Sequence, residues 1–128
     1  MMRVLFITLA IAALATPALS ADRFSGYYNR ECGTRHVCDL RIDRTGPTRW
    51  RVTWEPFVWR GDSKPVCRRE FSAQIGGPAG TFIDGIAHGK VGGGLVGIVD
   101  RGLGKLEVRT DGGCAGILMG GTYEAVGD

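Results

Sequence analysis

Alternation of apolar and polar side chains with a period of two recurs from residue 22 onward and limits the possible folds more than any other feature. Leu40 and Ile42 flank Arg41, and Trp50 and Val52 continue the pattern. Because successive side chains of a β-strand point to opposite faces, the pattern is typical of half-buried strands. It predicts eight strands: Phe24–Tyr28, Cys38–Arg44, Trp50–Glu55, Val66–Ile75, Thr81–Ala87, Leu95–Val99, Lys105–Thr110 and Ile117–Glu124.

Short turns rich in glycine, proline and polar residues separate these strands, as over 44–48 and 111–113. Many short strands joined in this way indicate an all-β barrel or sandwich. We favour a small, disulfide-bonded antiparallel barrel of about eight strands, because closure removes exposed sheet edges. A filled interior would place function on the loops, whereas a hollow one would favour a small-molecule ligand.

The first 21 residues have the features of a secretory signal peptide. Arg3 precedes an apolar run over 4–15, and small residues lead up to a predicted cleavage site after Ala21. This run is too short to span a bilayer, and no later segment approaches the ~20 apolar residues that a membrane helix needs. We therefore expect a signal peptide over 1–21, one β-barrel domain over 22–128, and a periplasmic or secreted location without a membrane span.

Four cysteines agree with export, because an oxidising compartment would pair an even set of thiols. They are Cys32, Cys38, Cys67 and Cys114, for which three pairings are possible. We favour Cys32 with Cys38 and Cys67 with Cys114, since this pairing leaves no free thiol and joins the two halves of the domain.

Catalytic and metal-binding patterns are sparse. The formal net charge of +3 gives no strong attraction for nucleic acid. The only histidines, His36 and His88, lie far apart in the sequence, which argues against a metal site. The sequence contains no Gly-x-Ser-x-Gly nucleophile elbow of a serine hydrolase, no P-loop and no dinucleotide-binding motif between a strand and a helix. We therefore predict no catalytic residues and no cofactor. A hydrolase or transferase that uses an unrecognised polar cluster is the alternative.

All three tryptophans lie between residues 49 and 60. Trp50 and Trp54 share the alternation and are predicted to form an inner aromatic layer, although tryptophans with interleaved arginines could instead stack on sugars or bases. Trp59 breaks the alternation just before a turn. We predict that Trp59 and Arg60 contact a ligand or partner at a barrel mouth, and we add His88 and Lys90 as candidate contacts.

The segment Pro78-Ala79-Gly80-Thr81-Phe82-Ile83-Asp84-Gly85-Ile86 resembles the inhibitory loop and following strand of small periplasmic inhibitors of c-type lysozyme. That resemblance implies an exported, disulfide-bearing eight-stranded barrel and makes Thr81 and Phe82 candidate contacts. The sequence departs from the family pattern, because it lacks the loop serine and has Phe82 where the family has tyrosine.

The ends of the domain are similar to those of small lipocalin-like barrels. Phe24-Ser25-Gly26-Tyr27-Tyr28 opens the domain, and Gly121-Thr122-Tyr123 lies in the closing strand. This similarity implies a barrel and specifies no ligand.

Two functions follow as hypotheses. The first is a non-enzymatic exported module that binds a small molecule, glycan or envelope component. The second is a proteinaceous inhibitor of host c-type lysozyme.

Overall fold

Eight antiparallel strands close into a barrel in the computed structural model of the protein. The structure describes residues 22–61, 63–75, 86–91 and 94–126. The barrel strands are β1 (Gly26–Gly33), β2 (His36–Gly46), β3 (Arg49–Val58), β4 (Arg69–Gln74), β5 (Ile86–Val91), β6 (Gly94–Gly102), β7 (Lys105–Arg109) and β10 (Gly121–Ala125). The short strands β8 (Gly113–Cys114) and β9 (Ile117–Leu118) form a separate hairpin. The predicted all-β barrel is confirmed.

Consecutive strands are neighbours around the barrel, apart from the β8–β9 hairpin that is inserted between β7 and β10. The longest ladder joins β2 to β3 and runs from the pair His36 and Val58 to the pair Gly46 and Arg49. The barrel closes where β1 pairs with β10, with Asn29 opposite Glu124. Closure leaves no free edge along this part of the sheet.

Large side chains fill the barrel interior. The side chains predicted to face inward on β2, β3 and β7 are buried, and Trp50 and Trp54 are at most 1% exposed. Eight strands enclose a space that side chains of this size can fill. Of the two predicted possibilities, the structure shows the filled interior. The largest fully buried side chains include Trp50, Trp54, Tyr123, Phe24, Leu40, Ile42, Ile98, Leu106 and Met119.

Hydrogen bonds satisfy the polar atoms of the interior aromatic residues. The Tyr123 hydroxyl accepts a hydrogen bond from Trp54 Nε1 at 2.9 Å and donates one to the Met119 carbonyl at 2.6 Å. Trp50 Nε1 donates to the Asp22 carboxylate at 3.1 Å. Because an unpaired polar group in a dry interior is costly, these contacts make the aromatic filling compatible with burial.

Both predicted disulfides are present. Cys32–Cys38 bridges the β1–β2 hairpin, and Cys67–Cys114 joins the β3–β4 connection to β8. The antiparallel topology places both bridges at one end of the barrel, where β1, β3, β5 and β7 finish. We call this end the disulfide end and define it by its described residues, 31–36, 57–61, 63–69, 90–91, 94–95 and 110–121.

Several predicted strand boundaries were wrong, among them the start of β4, which lies at Arg69 instead of Val66. Strand β1 continues to Gly33 instead of ending at Tyr28, and β2 starts before Cys38, because the hairpin tip is polar on both faces and hides the alternation. Strand β5 ends at Val91 rather than Ala87. The predicted strand Ile117–Glu124 is divided into β9 and β10. Gly121, with φ +146°, lies at the point where β10 begins.

Two parts of the sequence prediction lie outside the described residues: the signal peptide over 1–21 and most of the predicted strand Thr81–Ala87. The described residues include no helix with the length and apolar character that crossing a membrane requires.

Candidate functional site

Trp59 follows directly after the end of β3 and exposes 58% of its surface. Its backbone N–H donates a 2.7 Å hydrogen bond to the Arg35 carbonyl at the tip of the β1–β2 hairpin. The guanidinium of Arg60 lies 5.9 Å from the centre of the indole ring, within the range of a cation–π contact. The structure therefore brings the predicted pair Trp59 and Arg60 together on the surface and attaches it to the hairpin.

A cleft of about 230 Å³ separates the indole of Trp59 from the hairpin tip. The other side chains that line it are polar or aliphatic, and Gly33 contributes backbone: the lining residues are Glu31, Gly33, Thr34, His36, Val37 and Trp59. Pockets that enclose drug-sized ligands measure roughly 300–1,000 Å³, so this cleft suits part of a larger molecule. It combines an aromatic face with a carboxylate, a hydroxyl and an imidazole.

The β1–β2 hairpin holds one wall of the cleft in place. The Cys32–Cys38 disulfide spans the hairpin just below its tip, and the strand register shifts between Glu31 and Gly33. Such a bulge redirects the side chains of the strand that carries it. A cross-linked hairpin also loses less conformational entropy on binding than a free loop would.

The remaining predicted contacts are not assembled with Trp59. Lys90 is exposed on β5, and among the described residues no hydrogen bond or ring contact links it to the cleft. The backbone of His88 pairs with Gln74 and Gly97, but its side chain is outside the described part. Thr81 and Phe82 also lie outside the described residues.

Sequence reasoning missed Glu31, Thr34 and His36 as cleft residues. The alternation predicts two shorter strands joined through the hairpin tip, and it gives no position for these side chains relative to Trp59. One available signal was the pairing of Cys32 with Cys38, which brackets a Gly-Thr-Arg turn and implies a tight hairpin.

A second polar region covers the outer face of β1–β4. The Tyr27 hydroxyl donates a 3.2 Å hydrogen bond to the carboxylate of Asp39, which pairs across the strands with Glu55. Partial burial and the nearby Glu55 charge raise the pKa of Asp39, while the hydrogen bond from Tyr27 opposes this shift. Ion pairs such as Arg41 with Asp43 at 3.2 Å occupy the rest of this face.

This outer face has the features of a solvated strand surface. Its carboxylates are largely matched by hydroxyls and guanidinium groups, and exposed ion pairs of this kind contribute little to stability. Among the described residues, no three His, Cys, Asp or Glu side chains are placed to hold a metal ion.

Comparisons with models of known protein families, with curated proteins and with solved structures each found no match. The filled barrel and the Trp59 cleft are therefore the features that indicate a function.

Proposed function

We propose that this protein is an exported, non-enzymatic binding module that recognises a glycan or another envelope component, or a small molecule, through the Trp59 cleft. The observation that carries the proposal is the contrast between the tryptophans. Trp50 and Trp54 fill the interior, while Trp59 exposes its ring beside a polar cleft. Since the interior is occupied by side chains, the surface is left for binding.

The chemistry of the cleft suits a sugar ring. The apolar C–H face of a sugar can pack on the indole of Trp59, which offers a large, rigid surface at low entropic cost. The carboxylate of Glu31 and the hydroxyl of Thr34 can hydrogen-bond sugar hydroxyls, and a few such polar groups fix the orientation of a ligand. Arg60 favours glycans that carry carboxylate or phosphate groups, because a guanidinium binds these anions well.

Export is supported by cysteine chemistry. Both disulfides are formed, and no free cysteine is found among the described residues. Disulfides persist in oxidising compartments and are rare in the reducing cytosol. Together with the predicted signal peptide, this supports a periplasmic or secreted location.

Retention on immobilised peptidoglycan and lipopolysaccharide tests the proposal. We expect the wild-type protein to be retained on at least one of these materials and Trp59→Ala to lose most of that retention. Tyr27→Ala is the matched control, because Tyr27 is also a half-exposed aromatic residue but lies away from the cleft. Equal retention of Trp59→Ala and wild type would refute a role for the cleft.

Inhibition of host c-type lysozyme is the second candidate. The segment 78–86 that resembles the inhibitor family motivates it, and the disulfide-bonded barrel is compatible with it. The assay is lysis of bacterial cells by c-type lysozyme in the presence of excess purified protein. Undiminished lysis at stoichiometric excess would eliminate this candidate and leave the glycan proposal intact.

A further inference from the structure

Exposed apolar side chains are concentrated at the disulfide end. Leu95 is 73% exposed and Leu118 64%, although leucine is usually a core residue. With these two, the exposed large apolar residues of this end are Val58, Trp59, Val66, Leu95 and Leu118. Grouped exposure of this kind marks interaction sites more often than scattered single residues do.

The same end carries an excess of positive charge. Its described residues include six Lys and Arg side chains against the two carboxylates of Glu31 and Asp111. Arg68 is partly neutralised by Glu55 and Glu70 on the adjoining outer face. The excess still favours an anionic partner. The six basic residues are Arg35, Arg60, Lys64, Arg68, Arg69 and Lys90.

Backbone and side-chain contacts hold these loops in fixed positions. The Val66 N–H donates to the Pro56 carbonyl at 2.7 Å, and the Thr110 hydroxyl donates to the Leu95 carbonyl at 2.9 Å. Arg69 Nε donates to the carbonyl of Gly113 beside the Cys67–Cys114 disulfide. A preformed surface of this kind binds without a large ordering cost.

We propose that the disulfide end docks on the surface of an anionic phospholipid bilayer. Tryptophan prefers the headgroup region, apolar side chains can enter the acyl boundary, and basic side chains are attracted by anionic lipids. Exposed leucines beside lysines and arginines match such a surface in both polarity and charge. The inference rests on the proposed function, because it would bring the Trp59 cleft close to envelope material.

Vesicle binding followed by tryptophan fluorescence tests this inference. Phosphatidylcholine vesicles are compared with vesicles that also contain phosphatidylglycerol, at low salt and at about 0.5 M salt, where charge attraction is screened. Because Trp50 and Trp54 are buried, a brominated lipid should quench chiefly Trp59. We expect quenching and co-sedimentation with the anionic vesicles at low salt and a large loss of both at high salt.

Variants away from the cleft separate lipid docking from glycan binding. Leu118→Ser and Leu95→Ser should each lower the vesicle partition coefficient by about tenfold through loss of buried apolar surface. Lys90→Gln should weaken binding to anionic vesicles by a few-fold, roughly one basic contact. Leu103→Ser is the matched control, because Leu103 is fully exposed in the β6–β7 turn at the opposite end.

Each outcome supports or overturns the inference. Absent vesicle binding, or equal binding to neutral and anionic vesicles, would overturn it. Equal losses for Leu103→Ser and Leu118→Ser would overturn the assignment to this end. If sedimentation showed that the free protein is a dimer and that Leu118→Ser is a monomer, the surface would be assigned to a second copy. Retention on peptidoglycan without vesicle binding would overturn only the lipid inference, whereas vesicle binding without retention on peptidoglycan or lipopolysaccharide would contradict only glycan recognition by the Trp59 cleft.

Discussion

Replacing Tyr123 by Phe removes a single oxygen atom from the barrel interior. That oxygen accepts a hydrogen bond from Trp54 Nε1 and donates one to the Met119 carbonyl, at 2.9 and 2.6 Å. All three residues are fully buried. The substitution keeps the ring and therefore changes polar pairing with little change in volume.

The cost follows from the two groups left without partners. A buried donor or acceptor that loses its partner costs about 1–3 kcal/mol. The indole N–H of Trp54 and the carbonyl of Met119 would both be affected, so Tyr123→Phe should lower the free energy of unfolding by about 2–6 kcal/mol. At about 4 °C per kcal/mol for a domain of this size, the thermal midpoint should fall by roughly 8–24 °C.

Urea and thermal denaturation of wild type and two variants measure this effect. Tyr27→Phe is the control, since the Tyr27 hydroxyl also makes one hydrogen bond but the side chain is 48% exposed. It should change the unfolding free energy by no more than about 0.5 kcal/mol. If Tyr123→Phe proved as stable as Tyr27→Phe, the interior hydrogen bonds would be dispensable and the reasoning would fail.

Alkaline pH provides a second measurement on the same residue. Burial raises the pKa of Tyr123 to about 12, compared with about 10 in the unfolded chain. Since the folded value is the higher one, the contribution of this hydroxyl to stability is fully present below about pH 10 and is lost as pH rises through about 12. The stability difference between wild type and Tyr123→Phe should therefore shrink over that interval.

Three further predictions concern other contacts. Replacing Cys67 and Cys114 by Ser removes the cross-link between two residues that are 47 positions apart in the sequence. The free energy of unfolding should fall by about 4 kcal/mol as a result. Calorimetry should then show a midpoint lowered by well over 10 °C, and an unchanged midpoint would contradict this estimate. Leu103 is fully exposed and has φ +56°, a left-handed conformation that asparagine adopts more readily than leucine. Leu103→Asn should therefore raise the unfolding free energy by about 0.5–1 kcal/mol in urea titrations, and a lower unfolding free energy would contradict this prediction. Partial burial of Asp22 is outweighed by the hydrogen bonds it accepts, so its pKa is lowered, and its stabilising contribution is present above about pH 4 and lost below. Stability of Asp22→Ala should accordingly vary less with pH in this acidic range than that of wild type.

The fold could be predicted because it depends on short-range patterns. The alternation at Leu40, Ile42 and Val52 identified the buried faces, and all three side chains are buried. Cysteine number and spacing were sufficient to favour the observed disulfides. The alternation depends only on residues within one strand, and the disulfide prediction depends only on the number and spacing of the cysteines. Both can therefore be recognised in the sequence alone.

The cleft could be predicted only in part, because it depends on contacts between distant residues. Trp59 was identified by its break in the alternation. Its partner surface at Glu31 and Thr34 arises only when the hairpin tip meets the end of β3, through the hydrogen bond from Trp59 to Arg35. No local sequence pattern predicts this contact between the hairpin tip and the end of β3, since the polar residues at the tip resemble those of any exposed turn.

The order in which the disulfides join the cysteines also affects how the protein can mature. Along the chain the first cysteine bonds to the second and the third to the fourth. A thiol oxidase that joins cysteines in their order of appearance would therefore form Cys32–Cys38 first and Cys67–Cys114 when the last cysteine emerges. Rearrangement by thiol–disulfide exchange, which is slow without a catalyst, would not be required. Maturation of this barrel would then depend on an oxidant and not on a disulfide isomerase.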